Sequence, residues 1–242
     1  EAQTESTKSQ QVAQVLKDML AGVGPSAALG RDTTMLREIL DKTAERISHL
    51  TNQPEAEVEI RNTLADVYGE LEEFEKAERM YREALAIGRE LSGSNRSCLG
   101  TSLRGLAWVL CNNDRFAEAE PLAREALEIG NDAPGDQSAE AAKSLRTLGL
   151  VTSLQGQSAA AEQMLREALA IARGLHDEKD EMRTLNWLAL TLRDQGRMAE
   201  AEALLREYLV ASRKAYGTKH PHVAFALHNL ADILRREQKF EE

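Results

Sequence analysis

Aromatic side chains make up only 4% of this 242-residue chain, and there are only five prolines and two cysteines. Beside 42% hydrophobic and 29% charged residues, that scarcity excludes the usual make-up of β-sandwiches and barrels. It points instead to a helical chain, with apolar material for one large core or two ordinary ones. Long apolar runs are missing too. The longest, over 106–111, is far short of the roughly 18–20 residues that cross a bilayer, and the polar opening EAQTESTKSQ has no apolar signal-peptide core. Cys98 and Cys111 stand 13 apart with neither a CxxC spacing nor a nearby His pair, so reduced thiols are expected rather than a disulfide or zinc site, and a cytoplasmic home with them. An excess of positive charge is absent as well. Thirty basic against 40 acidic residues leave a formal charge of −10, which argues against general binding to nucleic acid or anionic lipid.

What is present is repetition. The phrase AERMYREALAIG (77–88) returns as AEPLAREALEIG (119–130), AEQMLREALAIA (161–172) and AEALLREYLVAS (201–212). Each copy follows a second helical stretch anchored by Leu64-Ala65, Leu106-Ala107, Leu148-Gly149 and Leu188-Ala189. A fifth anchor stands at Leu230-Ala231, so the spacings are 42, 42, 40 and 42. The small residues Ala77, Ala119, Ala161 and Ala201 open the phrase. A bulkier position follows (Tyr81, Ala123, Leu165, Leu205), then a further packing position (Ala84, Ala126, Ala168, Tyr208). Antiparallel helices approach closely only where side chains are small, and a larger neighbour one turn away fills the space beside the contact. One unit is therefore a helical hairpin. Its turn falls at Glu72-Glu73, Asn113-Asp114, Gln155-Gly156 and Gln195-Gly196, and loops between units are expected over 92–95, 131–136, 176–180 and 216–221.

Leu64, Ala65, Tyr68, Ala77, Tyr81 and Ala84 resemble the tetratricopeptide repeat pattern, and the 42-residue period is similar to the longer variety found in kinesin light chains. The resemblance implies an all-α, right-handed superhelical solenoid of helical hairpins that binds proteins and has no chemistry of its own. Units are expected at about 54–95, 96–136, 137–177 and 178–217. Because the sequence stops where a fifth second helix would begin, 221–238 is expected as a single capping helix, opened by Pro221 at its first position. The turn glycine of the pattern is replaced at Glu72, Asp114 and Gln238.

The first 51 residues do not follow the repeat. Val12, Val15, Leu16, Met19 and Leu20 predict one amphipathic helix over 4–20, stopped by Gly22, Gly24 and Pro25. Leu36, Ile39, Leu40, Ile47 and Leu50 predict the apolar face of a second, capped by Asp32 or a neighbouring Thr. The stretch 22–47 is similar to the segment joining catalytic domain to repeats in bacterial eukaryotic-like serine/threonine kinases. That resemblance implies the regulatory or recruiting arm of such a kinase. The kinase motifs themselves are absent: no Gly-rich phosphate loop, Val-Ala-Ile-Lys, His-Arg-Asp loop or Asp-Phe-Gly occurs.

Candidate chemistry is thin. His228 and Asp232 share a helix face at i, i+4, but Arg235 and Arg236 one turn on would repel a metal ion and no third ligand is evident. His220 and His222 flank Pro221 and are expected to cap a helix. The repeated Arg-Glu reads as a solvated face with i, i+4 ion pairs. Asn95-Arg96-Ser97 is a sequon with no meaning inside a cell. No catalytic residue, cofactor or metal is expected.

The face of each first helix turned away from its partner carries residues five and two before the anchoring Leu and two and five after it. The middle three rows hold Arg104, Lys143, Arg146, Arg183 and Arg193 with no acid among them. They also hold Trp108, Leu150 and Leu190 at one equivalent position, with Asn186 alongside; Phe225 and His228 continue the face in the last helix. These residues are the expected peptide-binding groove. Its ligand would be an extended acidic peptide with an aromatic or Leu anchor, as in kinesin-light-chain-like grooves. The alternative is a structural module that dimerises a parent protein without binding peptide.

Overall fold

The computed structural model describes residues 33–47, 54–91, 96–132 and 137–237. The helix expected over 4–20, the Asp32 cap, Leu50, the loop 92–95 with its sequon Asn, and Gln238 lie outside the described residues. Ten helices and no strands occur among those described. They are α1 (Thr34–Ile47), α2 (Pro54–Glu70), α3 (Phe74–Glu90), α4 (Arg96–Asn112), α5 (Phe116–Asp132), α6 (Gln137–Leu154), α7 (Ser158–Gly174), α8 (Glu178–Asp194), α9 (Met198–Tyr216) and α10 (Pro221–Arg236). They fall into two compact units, residues 1–129 and 130–242.

In the first unit, α2 packs against α3 and α3 against α4. Leu64, Ala65, Ala77 and Ala84 are fully buried where α2 and α3 meet. The Tyr81 ring leans on Gly105 of α4, where any Cβ would overlap it, and its hydroxyl donates to Asp66 (2.6 Å). Helix α1 packs on α2. The Tyr68 hydroxyl and Lys76 both donate to Asp41 at 2.7 and 2.9 Å, and Arg37 pairs with Glu73. Leu36, Leu40 and Ile47 of α1 are buried, but Ile39, expected on the same face, is 50% exposed. It sits one position before Leu40 on a narrow stripe, so it turns to the outer side.

The second unit stacks α6–α7, α8–α9 and the single helix α10. A Cβ at Gly149 would lie 2.8 Å from Cγ of Leu165, so α6 and α7 touch at a place where only glycine fits without repacking. Helix α10 buries Val223, Ala226, Leu230 and Ile233 in a core shared with Leu205, Tyr208 and Leu209 of α9.

Every hairpin turn is closed alike. The amides of Glu73, Arg115, Gln157 and Arg197 donate to the carbonyls of Tyr68, Leu110, Thr152 and Leu192 at 2.9, 2.9, 3.1 and 2.9 Å, the six-to-one bond of a Schellman cap. The residue inside each bond is left-handed: Glu72 (φ 60°), Asp114 (φ 57°), Gly156 (φ 80°) and Gly196 (φ 79°). Loss of glycine at the first two turns therefore leaves the turn intact at a cost in backbone strain. The 176–180 loop is shorter than expected. Asp177 accepts the Asp180 amide at 3.0 Å as an N-cap, which starts α8 at Glu178. The loop over 131–136 likewise loses its first two residues to α5.

The Arg-Glu phrase does more than decorate a helix. Arg82–Glu78 and Arg166–Glu162 are the expected i, i+4 pairs, but the turn residues Arg115 and Arg197 reach back to the preceding hairpin and pair with the same Glu78 and Glu162 at 2.8 Å. Burial alone would raise the Glu162 carboxyl. Hydrogen bonds from Arg166, Arg197 and Gln195 outweigh it and hold the group down at about 2.

Two outcomes follow from this packing. Ala161→Leu should overfill the α6–α7 contact and lower stability by about 1–3 kcal/mol in chemical denaturation, whereas Ala159→Leu on the exposed side should change it little. Asp114→Gly should raise stability by up to ~1 kcal/mol, because release of left-handed strain exceeds the entropy glycine adds to the unfolded chain.

Candidate functional site

The outward residues of the first helices are best taken unit by unit. In the second unit α6 lies beside α8 and α8 beside α10, so their outer rows adjoin. Lys143 is half-buried with its ammonium 3.0 Å from Glu140. Arg146 donates from Nε to Asp180 Oδ1 at 2.8 Å, the two side chains being 13% and 6% exposed. Ser153 and Thr191 share a bond of 2.9 Å. Asn229 donates to Asn186 at 2.9 Å. Arg193 pairs with Asp194 and, at 3.6 Å, with Asp232, which also holds Arg235 and Arg236. In the first unit Asn62 of α2 accepts from Ser102 of α4 (2.7 Å) and donates to the Cys98 carbonyl (3.3 Å). Within each unit, polar side chains on this face thus bond neighbouring first helices, α2 to α4 in the first and α6 to α8 and α8 to α10 in the second.

Several expected groove residues are therefore placed differently. Leu150 is 2% exposed and belongs to the core. Asn186 is buried at 5% with its carbonyl oxygen occupied by Asn229. The face is not free of acid, since Glu140 meets Lys143, Asp180 of the next first helix meets Arg146, and Asp194 and Asp232 meet Arg193. In the first unit Trp108 is half-buried: its ring stands edge-on to Phe74 at 5.9 Å and fills the space above Gly69. Arg104 donates to Thr101 on its own helix at 3.1 Å. Leu190 is half-buried, while Arg183, His228 and Phe225 (46%) are exposed.

Sequence reasoning missed Asp180. Its only signal was the spacing of 34 from Arg146, which sets the two on neighbouring first helices of consecutive repeats. It also missed a ring cluster at the α9–α10 junction. Tyr216, His220 and His222 stack with centroids 4.2 Å (Tyr216–His220) and 5.2 Å (His220–His222) apart. His220 caps α10 as expected, its Nδ1 accepting the His222 amide at 3.2 Å. His222 instead sits inside the helix with Nδ1 3.2 Å from the Tyr208 hydroxyl. Burial lowers the affinity of both imidazoles for a proton, and for His222 the neighbouring His220 and Arg183 lower it further.

Elsewhere chemistry is sparse. A cavity of about 540 Å³ in the first unit is lined by two ion pairs, Arg61 with Glu83 and Lys76 with Asp41. Neither Cys98 nor Cys111 is in a disulfide, and burial pushes the Cys111 thiol up to about 12. Among the described residues no group of three or more His, Cys, Asp or Glu side chains is placed to hold a metal ion, and no helix is long and apolar enough to cross a membrane.

Hairpins with small contact residues, a shared turn cap and first helices bonded side by side agree with a match to the tetratricopeptide repeat family model over residues 56–130, 109–174 and 180–242. The chain belongs to the tetratricopeptide repeat family. Among solved structures it is similar to BtubC (BKLC) from P. vanneervenii at 21% identity, with 87% of each chain covered and a TM-score of 0.66. It is similar also to the nearly identical TPR-like repeats of a kinesin light chain-type protein of Podosopora anserina, at 19% identity over 75% of this chain and 87% of that one, TM-score 0.55. The apo form of RapI matches at 13% identity over 85% of this chain and 55% of its own length, TM-score 0.57. No curated protein sequence matches significantly. At these identities the structures establish the fold, and the repeat family makes the chain a protein-interaction scaffold.

Two measurements probe this face. Arg146→Met strands the Asp180 carboxylate and should cost about 3 kcal/mol in denaturant unfolding, much of it recovered when Asp180→Asn is added. For His220 and His222 the folded-state values lie below the ordinary 6.5, so between the two the unfolded chain binds more protons. Their contribution is complete above pH ~6.5 and lost as pH falls through the folded-state values. Stability measured from pH 7.5 to 5 should therefore decline, and the double variant His220→Asn, His222→Gln should flatten that decline.

Proposed function

We propose that the chain captures an extended peptide or partner surface on the outer face of its first helices, and that the ligand is acidic with an apolar anchor. The observation that carries this reading is the exposed pair of chemistries in the second unit. Phe225 is an exposed aromatic on α10, and Arg183 is an exposed guanidinium on the neighbouring α8. Lys143, Arg146 and Arg193 are half-spent on their own acids, so they orient and line the face rather than supply net charge. Leu190 and His228 extend it, and Arg104 with the open side of Trp108 forms the matching surface of the first unit. Buried aromatic anchors dominate affinity, while rim charges set the association rate and its salt dependence.

In a parent protein carrying a kinase domain, such a scaffold would serve as its regulatory or recruiting arm, as the resemblance of 22–47 implies. A structural role in dimerisation is the competing use of the same face. The test is a fluorescence titration of acidic-aromatic, acidic-only and basic peptides. The acidic-aromatic series should bind best, Phe225→Ala should weaken it by about 2 kcal/mol, and Arg183→Glu should slow association and reduce the salt dependence. Equal binding of basic peptides overturns the acidic preference. A concentration-dependent dimer in light scattering that Phe225→Ala dissolves favours the structural role.

A further inference from the structure

In the second unit the first helices α6 and α8 are each covered by their own second helix. A Cβ at Gly149 of α6 would stand 2.8 Å from Leu165 of α7, and Ala142, Leu145 and Thr152 along the same row are buried. One repeat on, Met182, Leu185, Ala189 and Leu192 of α8 are buried in the core that α9 closes, with the Ser212 hydroxyl of α9 3.8 Å from the Met182 sulfur. At a further spacing of 42, α10 repeats this row as Ala224, Leu227, Ala231 and Leu234. None of the described residues covers it. Ala224 and Ala231 are exposed, Leu227 is 43% exposed and Leu234 is half-buried, while the other side of α10 is already packed on α9.

Charge holds a second helix from its other side. Arg82 and Arg89 of α3 meet Glu118 and Glu125 of α5 at 3.7 and 2.8 Å, and Arg166 and Arg173 of α7 meet Glu200 and Glu207 of α9. In each case the two arginines stand seven residues apart, and so do the two acids. Each acid directly precedes a buried residue, Ala119, Ala126, Ala201 or Tyr208. On α9 the same two positions hold Arg206 and Arg213, both exposed. Arg206 is paired with Glu202 on its own helix, as Arg166 is with Glu162, and Arg213 has no ion-pair partner among the described residues.

We infer that the end face formed by α10 and the edge of α9 docks one helix of a partner protein, antiparallel to α10, that carries Glu-Ala and a second Glu-Ala seven residues on. The two alanines allow the close approach that Ala224 and Ala231 leave open, and Leu227 and Leu234 fill the space beside them. The two acids lie toward Arg206 and Arg213, the arrangement that fixes α5 on α3 and α9 on α7. A second copy of α10 does not meet this demand, because the one acid in that helix, Asp232, already holds Arg235 and Arg236. The inference goes beyond the extended-peptide reading: it names a helical ligand on a different side of α10 and needs neither Phe225 nor Arg183.

The probe is a fluorescein-labelled peptide of residues 116–132, blocked at both ends, which carries Glu-Ala at 118–119 and again at 125–126. Titrated with the whole chain, it should show a saturable rise in fluorescence anisotropy. A peptide with Ala119→Leu and Ala126→Leu should bind at least ~tenfold more weakly. The same loss is expected for the unaltered peptide with the chain variant Ala231→Glu, whose exposed position leaves the circular dichroism unchanged. Arg213→Glu in the chain and Glu125→Lys in the peptide should each weaken binding about fivefold, and the two together should restore most of it. No saturation at millimolar concentration, binding indifferent to Ala231→Glu, or a charge swap no tighter than either single change would each overturn the inference. So would a dimer in light scattering that Ala231→Glu dissolves, since the face would then belong to a second copy of the chain.

Discussion

Close approach of helices at small residues is the constraint on which the rest of this molecule depends. Ala65, Ala77 and Ala84 in one hairpin and Gly149, Ala161 and Ala168 in another lie where two backbones nearly touch, with no room for a larger side chain. Once the helices are that close, the residue one turn away has only one place to go. Tyr81 lies on Gly105 and Leu165 on Gly149, and so a contact inside or beside a hairpin also fixes what the next helix can present. The outer face of the first helices inherits its geometry from this packing.

Charge on that face is governed by the same stacking. Adjacent first helices bring residues of consecutive repeats within hydrogen-bond distance, so a cation in one repeat meets an acid in the next. Arg146 finds Asp180, Arg193 reaches Asp232, and on the opposite side Arg115 and Arg197 find Glu78 and Glu162. A partly desolvated cation without such a partner would be costly, which is why the positive row read along the sequence is mostly neutralised in space. Arg183 and Lys179 escape because the acids around them are drawn away to Lys214, Arg146 and Arg173.

The period, the hairpin and the positions of contact were all legible in the sequence, because steric exclusion acts at single positions. Ala or Gly recurring at a fixed spacing from Leu has the same meaning in every repeat, and the anchors at Leu64, Leu106, Leu148, Leu188 and Leu230 all fall in helices. Turns were legible even where glycine was replaced, since Glu72 and Asp114 adopt the left-handed backbone that the position demands. The His220 cap was legible because capping is local. What only the tertiary structure decided were the pairings between repeats. The burial of Leu150, the bond of Asn186 to Asn229, the use of Trp108 as packing against Phe74 and Gly69, and the meeting of Tyr208 with His222 depend on the rotation between neighbouring hairpins. That rotation is set jointly by many side chains and has no signature at any one of them.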